Sequence, residues 1–241
     1  MRSYGLASSY SYYWTSTEID YYYAYVRTNN GYFTNKGKNS TSYYSTSGTF
    51  YVIALCQLSG PCGKPVNNNG HEYVDLGLPS GTLWATMNVG ATSETEYGNY
   101  YMYGMGSKTF DSTDTPYAGT EDPLDLSKDT ARQTWGGDWH MPTETQIEEL
   151  IANTTYQWVT DYNGSGINGG IFTATNGNSV FFPASGFMVT NINNNNSMGT
   201  YYSSTPYNDV AYYLVVYSGG GNIDNTYTRR TYGYSVRPVI G

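Results

Sequence analysis

Positive charge is scarce in this chain. Lysine and arginine supply 11 of its 241 residues against 19 Asp and Glu, for a formal net charge of −8. A protein that grips a nucleic-acid backbone needs a basic stripe, so the balance speaks against nucleic acid as a partner. Long hydrophobic runs are missing as well: no apolar stretch reaches the roughly 18 residues that a membrane-crossing helix needs. The opening MRSYGLASSYSYYW holds no continuous apolar segment of the signal-peptide kind. Either a leader has been removed or the chain is exported by another route.

Residues that usually carry chemistry are few. The two cysteines, Cys56 and Cys62, are separated by five residues in LCQLSGPCGKP. So short a loop suits a disulfide or two thiols and leaves the redox compartment open. A zinc site would need two further ligands at matching spacing, and the only histidines, His71 and His140, form no pair in sequence. Neither G-x-S-x-G nor H-E-x-x-H occurs. The expectation is a protein without catalytic residues, metal ligands or a cofactor.

What the chain does have is tyrosine. Twenty-nine residues are Tyr, set among Ser, Asn, Thr and 28 Gly. Tyrosine offers a large rigid contact face with a polar tip and loses few rotamers on binding, while Ser, Gly and Asn add adaptable hydrogen bonds. This is the chemistry of an antibody paratope. Tyrosine is also favoured in β-strands on propensity alone, but here it crowds the expected loops too.

Two blocks of the sequence resemble each other. Tyr13-Trp14-Thr15-Ser16-Thr17, Ala24-Tyr25-Val26 and Gly48-Thr49-Phe50-Tyr51-Val52-Ile53 match, in order and at similar spacing, Tyr201-Tyr202-Ser203-Ser204-Thr205, Ala211-Tyr212-Tyr213 and Gly233-Tyr234-Ser235-Val236-Arg237. The match points to a duplicated unit. Between the blocks, residues 58–70, with SGPCGKPVNNNG, read as a linker. The pattern predicts an α+β domain over 71–241 made of short strands, two short helices and long loops. Residues 82–89 partly alternate, with Leu83, Ala85 and Met87 on one face. Val180-Phe181-Phe182 and YYLVVY (212–217) read as buried strands. One helix is expected over 128–135. A second begins after Pro142, where Thr143 and Gln146 can form a capping box and Ile147, Leu150 and Ile151 share a face.

The block HEYVDLGLPSGTLWATMNVGATSETEYGNYY (71–101) resembles the opening of the Fibrobacter succinogenes major paralogous domain. KDTARQTWGGDWHMPTETQIEEL (128–150), VFFPASGF (180–187), YYSSTP (201–206) and GYSVRPV (233–239) fit its later pieces in order. That family is similar to the formylglycine-generating-enzyme branch of the C-type lectin fold. It includes variable proteins of diversity-generating retroelements, in which a carboxy-terminal stretch is mutagenised at adenines. The resemblance therefore implies a C-type-lectin-like domain over 71–241 with a Tyr/Asn/Ser/Asp-rich, diversified tail. It also makes residues 1–57 the closing third of a second such domain. A third of a domain cannot bury its own core, so it would pack on the main domain or complete a neighbour by self-association. One departure is His140, which stands where the family usually has arginine. The catalytic cysteines of formylglycine-generating enzymes have no counterpart after Cys62, and the sugar-binding signatures of calcium-dependent lectins are missing.

Other constellations read as structural. Gly164-Ser165-Gly166-Ile167-Asn168-Gly169 matches G-x-G-x-x-G, but Ile171-Phe172-Thr173 beyond it looks like strand and not helix, so a turn with Asx-type bonds is expected. Asp161, Asn163 and Ser165 begin like a calcium loop, yet Phe172 stands at its twelfth position. Asp122, Asp125 and Asp129 suit capping and solvation of the first helix. Trp84, Trp135, Trp139 and Trp158 suit the core better than a sugar platform. The candidate ligand-binding residues are Tyr207, Asn208, Asp209, Tyr213, Tyr217, Asn222, Asp224, Asn225 and Tyr227, around strands anchored by Leu214, Val215 and Val216. A second face would comprise residues 20–25 with Asn29, Asn30 and Tyr32. The expected function is recognition of a protein or glycan receptor by a protein displayed on a cell or virion surface, as an adhesin or phage receptor-binding protein. The alternative is an oligomerising module of a pilus or phage tail.

Overall fold

In the computed structural model the described residues are 69–224 and 229–241, together with the backbone of three earlier strands. The chain divides into two compact units, Met1–Gln57 and Leu58–Gly241. Cys56, Cys62 and residues 58–68 of the expected linker lie outside the described residues. The first unit contains β1 (Tyr12–Glu18), β2 (Tyr23–Thr28) and β3 (Phe33–Gly37), an antiparallel meander with β2 in the middle.

The second unit is α+β. It opens with β4 (Tyr73–Asp75) and β5 (Leu83–Ala85), continues through helices α1 (Thr130–Trp135) and α2 (Glu144–Asn153), and then becomes strands. These are β6 (Thr154–Val159), β7 (Gly169–Ala174), β8 (Ser179–Pro183), β9 (Phe187–Met188), β10 (Ile192–Asn193), β11 (Met198–Tyr207), β12 (Val210–Tyr217), β13 (Gly220–Asp224) and β14 (Val239–Ile240). They form small sheets: β6-β7-β8, β9-β10, β11-β12-β13 and β4-β5-β14. In the last of these, Val239 pairs with Trp84, so the final strand closes against the opening strands of the unit. No helix among the described residues is long and apolar enough to cross a membrane.

The helices form where their caps predict. Gln146 N donates to Thr143 Oγ1 (3.2 Å) and Thr143 N to Gln146 Oε1 (3.0 Å), completing the capping box of α2. Ile147 and Leu150 then fall three residues apart on its buried face. The first helix starts two residues later than expected because Asp129 is its N-cap, accepting from Arg132 N at 2.9 Å. Gly136, at φ +67°, ends it.

Two apolar clusters flank the β11-β12-β13 sheet. One gathers Trp135, Trp139, Tyr103, Tyr202, Tyr213 and Val215; the other gathers Trp84, Ile147, Leu150, Phe172, Tyr201, Leu214 and Val216. Successive strand residues point to opposite faces, so β12 sends Tyr213 and Val215 one way and Leu214 and Val216 the other. Both faces are covered, which is why this segment is continuously apolar and not alternating. Burying Leu214 and Val216 contributes about 1.5–3 kcal/mol each.

The 82–89 segment departs from its expected pattern. Only Leu83–Ala85 is strand, and Trp84 is fully buried while Leu83 and Met87 are half-buried. The reason is again a strand covered on both faces: Trp84 packs edge-on against Phe182 at 5.8 Å in one cluster while Ala85 belongs to the other.

The two meanders share an irregularity of register. In the first unit Trp14 pairs with Val26 and the next pair is Glu18 with Ala24. In the second, Tyr202 pairs with Tyr213 and the next pair is Pro206 with Ala211. In both, four residues pass on the first strand (14 to 18, 202 to 206) against two on the second (26 to 24, 213 to 211). These are the positions that the two similar sequence blocks align.

Candidate functional site

The β11–β12 hairpin ends in a two-residue turn, since Tyr207 pairs with Val210 and leaves Asn208 and Asp209 between them. Asn208 sits at φ +53°, a left-handed conformation that asparagine tolerates better than most residues. The turn is tied down from below by Arg230, which is only 4% exposed. Its Nε donates to Val210 O (3.0 Å), Nη1 to Tyr117 O (3.0 Å) and Gly119 O (2.6 Å), and Nη2 to Asn208 O (2.9 Å). The guanidinium also lies 4.6 Å from the ring centroid of Tyr103. One buried cation thus joins the hairpin turn, the loop around Tyr117 and its own segment.

Between these three pieces lies a cleft of about 730 Å³, lined by residues 115–118, Asp209, Val210 and residues 229–232. Asp209 and Arg229 are exposed at its edge. Tyr232 is half-buried, and its ring stacks on Phe187 at 5.7 Å with 17° between the planes. Tyr202, fully buried beneath, donates its hydroxyl to Tyr232 O (2.9 Å) and Arg229 O (3.3 Å), and burial pushes its phenol pKa well above the ordinary value.

The expected site residues separate into distinct groups. Tyr207 (44% exposed), Asn208 and Asp209 occupy the hairpin turn beside the cleft. Tyr217 (37% exposed) and Asn222 lie at the other end of β12, where Asn222 Nδ2 donates to Tyr217 Oη at 3.3 Å. At about 3.3 Å rise per residue, β12 holds these ends roughly 23 Å apart, so the two groups are separate patches of surface. Asp224 is half-buried and pairs with Tyr213 within the sheet.

Tyr213 is a correction. It is 5% exposed, with its ring 5.3 Å from that of Tyr234, because its place on β12 points it into a core cluster. It packs and does not face a ligand. Asn225, Tyr227, Asp20, Asn29, Asn30 and Tyr32 lie outside the described residues, and only the backbone of Tyr23 to Tyr25 is described for the early cluster. The cleft residues Tyr117, Arg229, Arg230 and Tyr232 were not anticipated. The adjacent Arg229 and Arg230, in a chain with 11 basic residues, were the available signal.

The remaining constellations are structural where described. The glycine-rich match closes the β6–β7 hairpin: Asp161 Oδ1 accepts from Gly166 N at 2.6 Å, and Gly169 begins β7. Asp129 is buried, and its second oxygen accepts from Met141 N (2.8 Å), so both oxygens brace backbone while burial raises its pKa. His140 places its ring nitrogens against Met141 O (2.9 Å) and Gly241 O (3.0 Å). Arg237 is fully buried over the Phe182 ring; its Nε donates to Asn88 Oδ1 (2.8 Å) and Nη1 to Ala85 O (3.0 Å), and burial lowers its pKa to about 10. Trp84, Trp135 and Trp139 are buried, and Trp158 is half-buried. Among the described residues no three His, Cys, Asp or Glu side chains converge as a metal site.

No family model, curated protein or solved structure matches this chain. The functional reading therefore rests on the residues and their arrangement.

Proposed function

We propose that this chain is a ligand-binding protein of C-type-lectin-like fold, displayed on a cell or virion surface, that recognises a protein or glycan receptor through the turns of its β11-β12-β13 sheet. The observation that carries this reading is a division of labour along one strand. Residues 213–216 of β12 are locked between two cores, while Tyr207, Asn208, Asp209 and Tyr217 stand exposed at its ends. A scaffold built in this way changes its turn residues at little cost to its fold. Binding is non-covalent, by tyrosine stacking and hydrogen bonds, with no catalytic step.

The test is deep sequencing of the encoding locus across a population. The expected result is variation concentrated at positions 207–209, 217, 222, 224, 225 and 227, with 213–216 constant. A tail no more variable than residues 73–89 would remove the retroelement-diversified reading.

A second reading, an oligomerising module of a pilus or phage tail, is favoured by the register-matched β1-β2-β3 meander, whose counterpart needs cover on both faces. Light scattering separates the two: an obligate oligomer without ligand favours this role, and a stable monomer favours display.

A further inference from the structure

The cleft has the features of a built site. Its three walls come from segments far apart in sequence, and the Arg230 guanidinium bonds to backbone carbonyls in two of them while belonging to the third. Four of its five donors are spent on carbonyl oxygens, so its charge is committed to the walls. What remains for a ligand is a carboxylate and a cation of opposite sign, Asp209 and Arg229, both exposed. Thr115 and Thr231 also line the cleft, with Tyr232, whose ring is backed by Phe187.

This lining discriminates between ligand classes. Apart from the two tyrosines, Tyr117 and Tyr232, the apolar residues that line it, Pro116, Ala118 and Val210, are small, which gives a large aliphatic side chain or a lipid tail little to anchor on. Asp209 offsets Arg229, which disfavours an inorganic or acidic anion. A supported aromatic ring, with both donors and acceptors around it, suits a ring that is apolar on its C–H face and hydroxyl-bearing at its rim. The volume of about 730 Å³ falls within the range of small-ligand sites.

We propose that this cleft binds a short neutral oligosaccharide, with Tyr232 stacking on a hexose face and Asp209 and Arg229 holding adjacent hydroxyls. The proposal rests on the recognition reading above and narrows its ligand to a glycan at one end of β12.

The test uses the full chain on an array of neutral glycans, with lactose, cellobiose and mannobiose as soluble probes followed by saturation-transfer NMR and calorimetry. The expected result is saturable binding of at least one probe with Kd near or below ~1 mM. Tyr232→Ala and Asp209→Ala should each weaken it about tenfold, as for a contact residue at the centre of a small site. Arg229→Gln should do the same, while Gln157→Ala, at an exposed position of β6 outside the cleft lining, leaves it unchanged. Circular dichroism of each variant checks that the fold is intact. No binding across array and probes overturns the proposal. So does binding indifferent to all three cleft variants, or lost equally in Gln157→Ala. The outcome is separable from that of the population sequencing: a variable tail without sugar binding keeps the display reading and removes the cleft, and a constant tail with sugar binding keeps the cleft and removes only the diversification.

Discussion

The meanders β1-β2-β3 and β11-β12-β13 share a strand order and the same irregular register, yet their middle strands differ in composition. With Ala24 matched to Ala211, Val26, Arg27 and Thr28 stand where β12 has Tyr213, Leu214 and Val215. In β12 these positions face two cores by turns. Backbone register survives the replacement of apolar residues by Arg and Thr, because the ladder is made by main-chain groups that every residue carries. In β12 itself an arginine at the place of Leu214 could not enter the apolar core without partners.

Grafting β2 residues onto β12 breaks the comparison most sharply. Leu214→Arg would place an unpaired cation among Ile147, Leu150 and Phe172. The expected loss exceeds about 4 kcal/mol, read as failure to give a cooperative urea transition. Arg230→Met comes next: it strands the carbonyls of Val210, Tyr117, Gly119 and Asn208, for an expected loss of about 3 kcal/mol in the same assay. Tyr213→Val, which installs the Val26 equivalent, removes a ring packed on Tyr234 and should cost about 2 kcal/mol.

Smaller effects sharpen the boundary of the second unit. His71 stacks on Trp135 at 3.8 Å, and burial lowers its pKa from 6.5. A folded pKa below the unfolded one means its contribution is full above pH 6.5 and is lost as pH falls through the lowered value. The melting temperature should therefore fall on acidification through that window, and His71→Phe should flatten the dependence. Tyr207→Ala and Tyr217→Ala should change stability by less than about 0.5 kcal/mol, since both residues are exposed at turns. A larger loss in either would place it with Tyr213 as a packing residue.

Much of the fold was legible because local chemistry and tertiary role agreed. Thr143 and Gln146 marked the start of α2, and the apolar run at 212–217 marked a strand buried on both sides. β13 was not legible. Its sequence GGNID lacks a strand pattern, and it forms because Gly221 lets the Phe172 ring approach where a side chain would collide: an added Cβ would lie 2.5 Å from Phe172 Cζ. At the candidate site, composition marked the exposed tyrosines but could not separate Tyr213 from Tyr207 and Tyr217, since all three belong to one hairpin and only their place along it and the cover above them distinguish them.

Sequence by itself determined the α+β class, the helix caps, the buried strands and the tyrosine-rich chemistry, because these depend on neighbours a few residues apart. Tertiary structure alone decided which tyrosines face solvent, that the exposed tail residues fall into two separate patches, and that Arg230 joins loops more than 100 residues apart into the walls of a cleft. Those outcomes depend on which distant carbonyls and rings are brought within bonding distance, and no local pattern encodes that.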